Sequence, residues 1–160
     1  MNSRIKLVRV DHRLLHGQVA FSWTHGLGSD CILVASDTVI NDPVWKTTLK
    51  LGKPDGVKLI MKTIDDSIKA INSGVTDKYK LIIVVQTIAE AKRLLDGCPQ
   101  IKSLNLGNTK ESKTTTQVSR QVFLEEEEIA ILRELMDRGV ECEIRPLVDD
   151  KKVDVASVLK

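Results

Sequence analysis

Residues 8–18 read Val-Arg-Val-Asp-His-Arg-Leu-Leu-His-Gly-Gln, and this stretch predicts the first two elements of the fold. The apolar side chains from Ile5 to Val10 predict a short buried strand, and the residues from Gly17 onward predict the start of a helix. We therefore expect His16 in a strand-to-helix loop. Such a loop directs backbone N–H groups and the positive end of the helix dipole outward, so a phosphate on His16 would meet an anion site already formed.

The composition is typical of one globular domain. The chain has 160 residues, of which 42% are hydrophobic and 29% charged, enough for a substantial core. A net charge of +2 and only two Trp, one Tyr and two Phe argue against a nucleic-acid-binding surface. No apolar run approaches the roughly 20 residues of a membrane-spanning helix, and Met1–Arg4 lacks the apolar core of a signal peptide. We expect a cytoplasmic protein.

Short β-branched runs alternate with helical stretches along the whole chain, which is typical of repeated βα units. We predict an α/β fold in one domain: an open, mostly parallel sheet of about seven strands with helices on both faces. Helix starts are marked by Asp42-Pro43 and by Thr87 with Glu90, and the acidic run 125–128 opens the last helix. After the first strand, the candidate strands are residues 31–35, 57–61, 80–85, 103–106, 121–123 and 141–145.

Three loops follow strands of this sheet and should lie at one rim, because ligands bind beyond the carboxyl ends of strands in open α/β sheets. They are residues 11–16, 36–41 and 107–116, and the last is the only long polar stretch. Whether the three loops meet depends on the strand order, which periodicity does not supply.

The first loop contains side chains suited to phosphoryl transfer. The neutral ring of His16 is a nucleophile near pH 7, and the N–P bond that it forms is labile. Arg13 could hold two phosphate oxygens with its planar fork. Asp11 could accept a ring N–H and fix the tautomer, or could orient Arg13 through an ion pair. On residue type alone, a structural histidine at a turn is the competing interpretation.

Residues 8–19 resemble the active-site segment of the IIB components of the mannose/fructose/sorbose family of the bacterial phosphoenolpyruvate-dependent sugar phosphotransferase system (PTS). The resemblance extends over nearly the whole chain, so it implies one IIB domain of this type over residues 1–160. It covers Trp23-Thr24, Ala35-Ser36-Asp37, Leu104-Asn105-Leu106-Gly107-Asn108, Thr116-Gln117-Val118 and Gly139-Val140-Glu141.

The resemblance implies a sugar phosphotransferase whose phosphohistidine is His16. This residue would take phosphate from a phosphorylated IIA protein and pass it to a sugar entering through the membrane subunits IIC and IID. The protein would then associate peripherally with the inner face of the membrane, and a homodimer is compatible with this role. His12 departs from the acidic residue that is common in the family at its position. We expect neither a cofactor nor a metal.

Further residues are expected near the phosphate. Gly17 and Gln18 follow His16 directly. Asp37 could help to bind phosphate through Arg13 or could cap the following turn. The other candidates are Asn105, Gly107 and Asn108, whose amides and permissive glycine could serve a phosphate or a sugar hydroxyl, or could simply form a turn.

Some other IIB families use a phosphocysteine, but Cys31, Cys98 and Cys142 lie in or beside apolar runs and are expected to be buried. Trp23 and Trp45 are expected in the core.

Two functions compete with the phosphocarrier. The first is a regulatory or anion-binding module that keeps the fold without phosphorylating a sugar. The second, a nucleotide-binding domain, is disfavoured because neither a Gly-x-x-x-x-Gly-Lys-Ser/Thr loop nor a Gly-x-Gly-x-x-Gly turn is present.

Overall fold

The computed structural model describes residues 4–159, and the predicted alternation of strands and helices is present in them. The first three residues and residue 160 of the predicted domain lie outside this range, as does most of the Met1–Arg4 segment. Within residues 4–159 the strands are β1 Ile5–Asp11, β2 Cys31–Ala35, β3 Lys58–Lys62, β4 Leu81–Val85, β5 Ser103–Asn108, β6 Thr116–Ser119, β7 Val122–Leu124, β8 Glu141–Ile144 and β9 Val153–Asp154. The α-helices are α1 Gly17–Leu27, α2 Pro43–Leu51, α3 Ile64–Ser73, α4 Ile88–Gly97 and α5 Glu126–Asp137.

Seven strands form one sheet in the order β3-β2-β4-β1-β5-β8-β9. All neighbouring pairs are parallel except β8 and β9, which are antiparallel. The central strand β1 has β4 on one side and β5 on the other. The prediction of an α/β fold with a mostly parallel sheet of about seven strands is confirmed.

Helices cover both faces of this sheet, as predicted. Alternate side chains of β1, β2 and β4 enter two apolar clusters, because successive residues of a strand point to opposite faces. One cluster includes side chains of α3, α4 and α5, and the other includes side chains of α1 and α2. The strands β2 and β4 are buried at every position, as expected between two helical layers.

The helix starts follow the predicted signals. Asp42 caps α2 by accepting the Trp45 N–H at 3.0 Å, with Pro43 in the first turn. Thr87 caps α4 by accepting the Glu90 N–H at 3.1 Å. Glu125 precedes α5 and forms a reciprocal capping box with Glu128, so two residues of the acidic run stabilise the start of this helix.

Two sequence-based predictions are corrected. The run 121–123 contributes to β7, which pairs with β6 in a separate antiparallel hairpin, and the seventh strand of the main sheet is the two-residue β9. The loop predicted at 107–116 is shorter, because Gly107 and Asn108 complete β5 and Thr116 opens β6. A two-residue edge strand gives no periodicity, and a glycine inside a strand is easily taken for a turn.

Candidate functional site

The site lies where adjacent strands send the chain in opposite directions. From β1 the chain passes to β2 on one side of the sheet, and from β5 it passes to β8 on the other. Because β1 and β5 are neighbours, the loops after them border one crevice at the carboxyl edge, the usual ligand position in such sheets. The strand β4 separates β2 from β1, so the loop after β2 does not adjoin this crevice.

The loop after β1 is held by backbone hydrogen bonds. The Leu14 N–H donates to the Asp11 carbonyl at 2.9 Å, and the His12 N–H donates to the Asn108 carbonyl at 3.0 Å, which joins this loop to the end of β5. Leu14 has φ = 62°, a left-handed conformation that a leucine adopts only when its surroundings require it. Its side chain is buried in the core, and this anchor accounts for the conformation.

His16 is the residue immediately before α1. Its backbone is extended (φ −142°, ψ 129°), its carbonyl accepts the first bonds of the helix, and its side chain is 33% exposed. The Nε2 atom lies 3.2 Å from Asp11 Oδ2. An ionised carboxylate only accepts hydrogen bonds, so Nε2 carries the proton, and Nδ1 of the neutral ring keeps its lone pair. The contact thus leaves Nδ1 as the ring nitrogen that could act as a nucleophile.

Asp11 is completely buried, and each of its oxygens is occupied. Oδ1 accepts the Arg13 N–H at 3.0 Å, while Oδ2 accepts from Arg9 Nη2 at 3.2 Å and from His16. Burial opposes ionisation of this carboxyl, but the His16 hydrogen bond, the Arg9 charge and the Arg13 N–H together hold its pKa below the ordinary value of 3.8. Of the two roles predicted for Asp11, the structure shows the contact with the His16 ring, and its contact with Arg13 is to the backbone.

Arg9 was not predicted as a site residue. It is 3% exposed in the central strand, and its Nη1 donates to Asn105 Oδ1 at 2.8 Å and to the Arg145 carbonyl at 3.1 Å. Burial lowers the pKa of the guanidinium, against the opposing influence of Asp11 and Glu143. The signal available in the sequence was a charged residue between two valines of a buried strand, a placement that is costly unless the charge is paired.

Two of the three candidates predicted in the segment 105–108 adjoin Arg9. Asn105 is buried within β5, where its Oδ1 binds Arg9 and its Nδ2 donates to the Arg145 carbonyl at 3.3 Å, so the alternative of turn chemistry is wrong for it. A Cβ atom at Gly107 would lie 2.0 Å from Arg9 Cζ, so this position admits only glycine while Arg9 occupies its present place. Asn108 borders the crevice through its carbonyl, which accepts the His12 N–H.

Trp23 closes the site from the side of α1. It is 2% exposed, which confirms the prediction of a core residue, and its Nε1 donates to the Pro146 carbonyl at 3.0 Å. The guanidinium carbons of Arg9 and Arg145 lie 5.6 and 4.9 Å from the centre of its ring, in the range of cation–π contact. The other tryptophan, Trp45, is partly buried against the same apolar cluster.

Arg13, Gly17 and Gln18, which are close to His16 in the sequence, are exposed. Within residues 4–159 no hydrogen bond or ion pair engages the Arg13 guanidinium, and the first N–H groups of α1, those of Gly17 and Gln18, likewise donate to no atom there. Free donors at a helix N-terminus favour an anion. The start of α1, directly after His16, therefore offers free donors that suit a phosphate.

Asp37 lies elsewhere. Its Oδ2 accepts from Arg93 at 2.7 Å, and its Oδ1 accepts the Ile64 N–H at 2.9 Å at the start of α3. The hydrogen bond from Arg93 lowers the pKa of Asp37. The structure thus gives no support for a link between Asp37 and Arg13, because the intervening strand β4 keeps the two loops apart.

The other histidines have distinct surroundings. His12 is half-buried, and burial lowers its pKa although Asp11 opposes the shift. Its carbonyl accepts from Gln86 Nε2 at 3.3 Å, a contact from the loop after β4 that the sequence did not predict. His25 is exposed at the far end of α1, where it stacks on Phe21.

The three cysteines are buried, as predicted. Burial raises the pKa of Cys31 and of Cys98 to about 11 and that of Cys142 to about 12, so none is an activated thiol. Within residues 4–159 no group of His, Cys, Asp and Glu side chains is arranged to hold a metal ion. In the same range no helix has the length and apolar character needed to cross a membrane.

Comparison with known proteins gives a consistent result. Residues 5–160 match the family described as the PTS system sorbose subfamily IIB component. The N-acetylgalactosamine-specific phosphotransferase enzyme IIB component 2 of Escherichia coli K12 is 30% identical over 97% of this chain and 98% of its own length. The mannose-specific EIIAB component of the same strain is 32% identical over 97% of this chain, which spans 48% of that longer protein.

A solved structure shares the fold. The IIBSor domain of the sorbose permease from Klebsiella pneumoniae superposes with a TM-score of 0.91, is 25% identical, and covers 97% of this chain and 95% of its own. The family match over residues 5–160 agrees with the crevice and with the histidine before α1. The chain therefore belongs to the sorbose-subfamily IIB components of the PTS, which are phosphotransferases of sugar uptake.

Proposed function

We propose that this chain accepts a phosphoryl group on Nδ1 of His16 from a phosphorylated IIA protein and passes it to a hexose or hexose derivative during uptake. The observation that carries this proposal is the 3.2 Å contact between His16 Nε2 and Asp11 Oδ2. It leaves Nδ1 unprotonated on a partly exposed ring at the start of a helix, which is the nucleophile that such a transfer needs.

The first step exchanges one N–P bond for another. The lone pair of His16 Nδ1 attacks the phosphorus of the donor phosphohistidine, the new Nδ1–P bond forms, and the donor's N–P bond breaks and releases its imidazole. Nε2 keeps its proton, so the phosphorylated His16 ring gains positive charge. The buried Asp11 carboxylate, which accepts that N–H, stabilises this charge.

The second step releases the group. A sugar hydroxyl oxygen attacks the phosphorus, an O–P bond forms, the Nδ1–P bond breaks, and the hydroxyl proton passes to solvent. In both steps the phosphoryl oxygens need neutralisation, for which the exposed Arg13 guanidinium and the N–H groups of Gly17 and Gln18 are available.

Membership of the family supports a proposal for the partners and the location. We propose a single IIB domain over residues 1–160 that works in the cytoplasm, takes phosphate from IIA, and meets the membrane subunits IIC and IID peripherally at the inner face. The relatives reported above are named for N-acetylgalactosamine, mannose and sorbose at 25–32% identity. Overall similarity therefore supports a hexose or hexose derivative as the substrate, but does not identify one particular sugar.

The test is phosphoryl transfer from radiolabelled phosphoenolpyruvate through enzyme I, HPr and a family IIA to the purified chain. We expect acid-labile label that requires IIA and is lost in His16→Ala. His25→Ala, which changes an exposed histidine at the other end of α1, is the matched control and should be labelled like the wild type. His12→Asn should also be labelled. Label on a folded His16→Ala protein would disprove the assignment.

A further inference from the structure

We propose that Arg9 is a positioning residue for this transfer, because its buried guanidinium fixes the Asp11 carboxylate, which in turn holds the imidazole of His16 in its Nε2–H tautomer. This inference deepens the proposed function and rests on it. Arg9 is connected to His16 through one shared atom, Asp11 Oδ2, which lies 3.2 Å from Arg9 Nη2 and 3.2 Å from His16 Nε2.

The guanidinium is itself fixed at its other nitrogen. Nη1 donates to Asn105 Oδ1 at 2.8 Å and to the Arg145 carbonyl at 3.1 Å. Asn105 also donates to that carbonyl, so the three groups form a closed set around Nη1. A planar fork held at one nitrogen in this way presents the other nitrogen to Asp11 in a single direction.

The Arg9 guanidinium is closely approached at Gly107 and faces the ring of Trp23. At Gly107 even a methyl group would lie 2.0 Å from Arg9 Cζ and from Nη2, and the Trp23 ring lies 5.6 Å from Cζ. Trp23 is held in turn by its hydrogen bond to Pro146 and by the Arg145 guanidinium, which pairs with Glu143 through contacts of 3.0 and 3.1 Å. Residues from α1, β5 and the segment after β8 thus contact one buried side chain of β1.

The consequence for His16 follows from the chemistry of a buried carboxylate. Without the Arg9 charge, Asp11 would keep only the His16 ring and the Arg13 N–H as partners in a site without solvent, and protonation would become favourable. A protonated Asp11 donates its O–H to Nε2 instead of accepting from it. The ring proton then moves to Nδ1, and the nucleophilic lone pair is lost.

The test compares Arg9→Gln and Arg9→Lys with the wild type by NMR of protein labelled with ¹⁵N-histidine, and by initial rates of label transfer from phosphorylated IIA. In the wild type we expect the nitrogen resonances of a His16 ring that is protonated at Nε2. In Arg9→Gln we expect a shift toward the Nδ1–H form and a rate about 10- to 100-fold lower. Arg9→Lys keeps the charge without the fork and should fall between the two.

Arg138→Gln is the matched control. Arg138 pairs with Asp96 at 2.6 Å and ends α5 just before β8, at the edge of the sheet opposite to His16. We expect its tautomer and its rate to equal those of the wild type. Gly107→Ala is the second variant, because it displaces the guanidinium without changing any charge, and it carries the test should the Arg9 variants not fold.

The outcomes separate this inference from the proposed function. A wild-type protein that is never labelled by IIA would overturn the proposed function, whereas the tautomer of His16 is read without any transfer. If the folded variants keep the Nε2–H tautomer while the wild type relays phosphate, Arg9 has a structural role only and the inference is wrong.

Discussion

At the scale of single residues, Asp11 couples the site to the stability of the fold. Its native pKa lies below the ordinary 3.8, because the His16 hydrogen bond, the Arg9 charge and the Arg13 N–H outweigh the effect of burial. Asp11→Asn removes the carboxylate that is directly paired with the buried Arg9 guanidinium, so we expect a loss of about 3–5 kcal/mol in the free energy of unfolding at pH 7. Urea denaturation of both proteins measures this loss.

The lowered pKa of Asp11 also predicts how the free energy of unfolding depends on pH. A carboxyl whose pKa is lowered by folding adds stability above its unfolded pKa of about 3.9, and this stability disappears as the pH falls through the lower native pKa. The difference in the free energy of unfolding between wild type and Asp11→Asn should therefore become smaller in that acid range. Asp96→Asn is the control, since Asp96 is also paired with an arginine, Arg138, but is exposed, and we expect a loss of at most about 1 kcal/mol in its free energy of unfolding. Equal losses for both variants would contradict the assignment.

At the scale of elements, the proposed function makes the first N–H groups of α1 donors to the phosphoryl group. Gly17→Pro removes one of these N–H groups and leaves the helix intact, because proline suits the first helical position and the extended backbone of His16 is compatible with a following proline. A hydrogen bond to a charged group is worth about 1.5–3 kcal/mol, so the equilibrium constant for phosphorylation by IIA should fall roughly 10- to 100-fold.

Gly17→Ala is the control for this prediction. It keeps the N–H group, and the added Cβ would meet nothing within 4 Å, so labelling should match the wild type. Circular dichroism of both variants checks that α1 is retained. If Gly17→Pro folds and is labelled to the wild-type extent, the first N–H of α1 does not contribute to phosphate binding.

The whole molecule shows which parts of the site were open to prediction from sequence. Asp11, Arg13 and His16 lie within six consecutive residues at the end of β1 and in the loop after it, so residue type and local pattern were enough to predict them together. Arg9 depends on Asn105 and on Arg145, which are 96 and 136 positions away, and no periodicity reveals such contacts. The alternation of strands and helices predicts the two layers, but the position of β4 between β2 and β1 is a property of the folded sheet.

Strand order also bears on the role of Asp37, for which the sequence left two alternatives open, phosphate binding through Arg13 and capping of the following turn. Because β4 stands between its loop and that of His16, and both of its oxygens are bound by Arg93 and Ile64, we expect Asp37→Asn to relay phosphate at the wild-type rate. The side chain is 47% exposed, so the loss in unfolding free energy should not exceed about 1 kcal/mol. Transfer from phosphorylated IIA measures the first quantity, and urea denaturation measures the second. A strong loss of phosphate transfer in a stable Asp37→Asn protein would contradict this expectation, because it would mean that the two loops meet during the reaction. Arg93→Gln is the control for the ion pair: it would show the same loss if the Asp37–Arg93 pair were the cause.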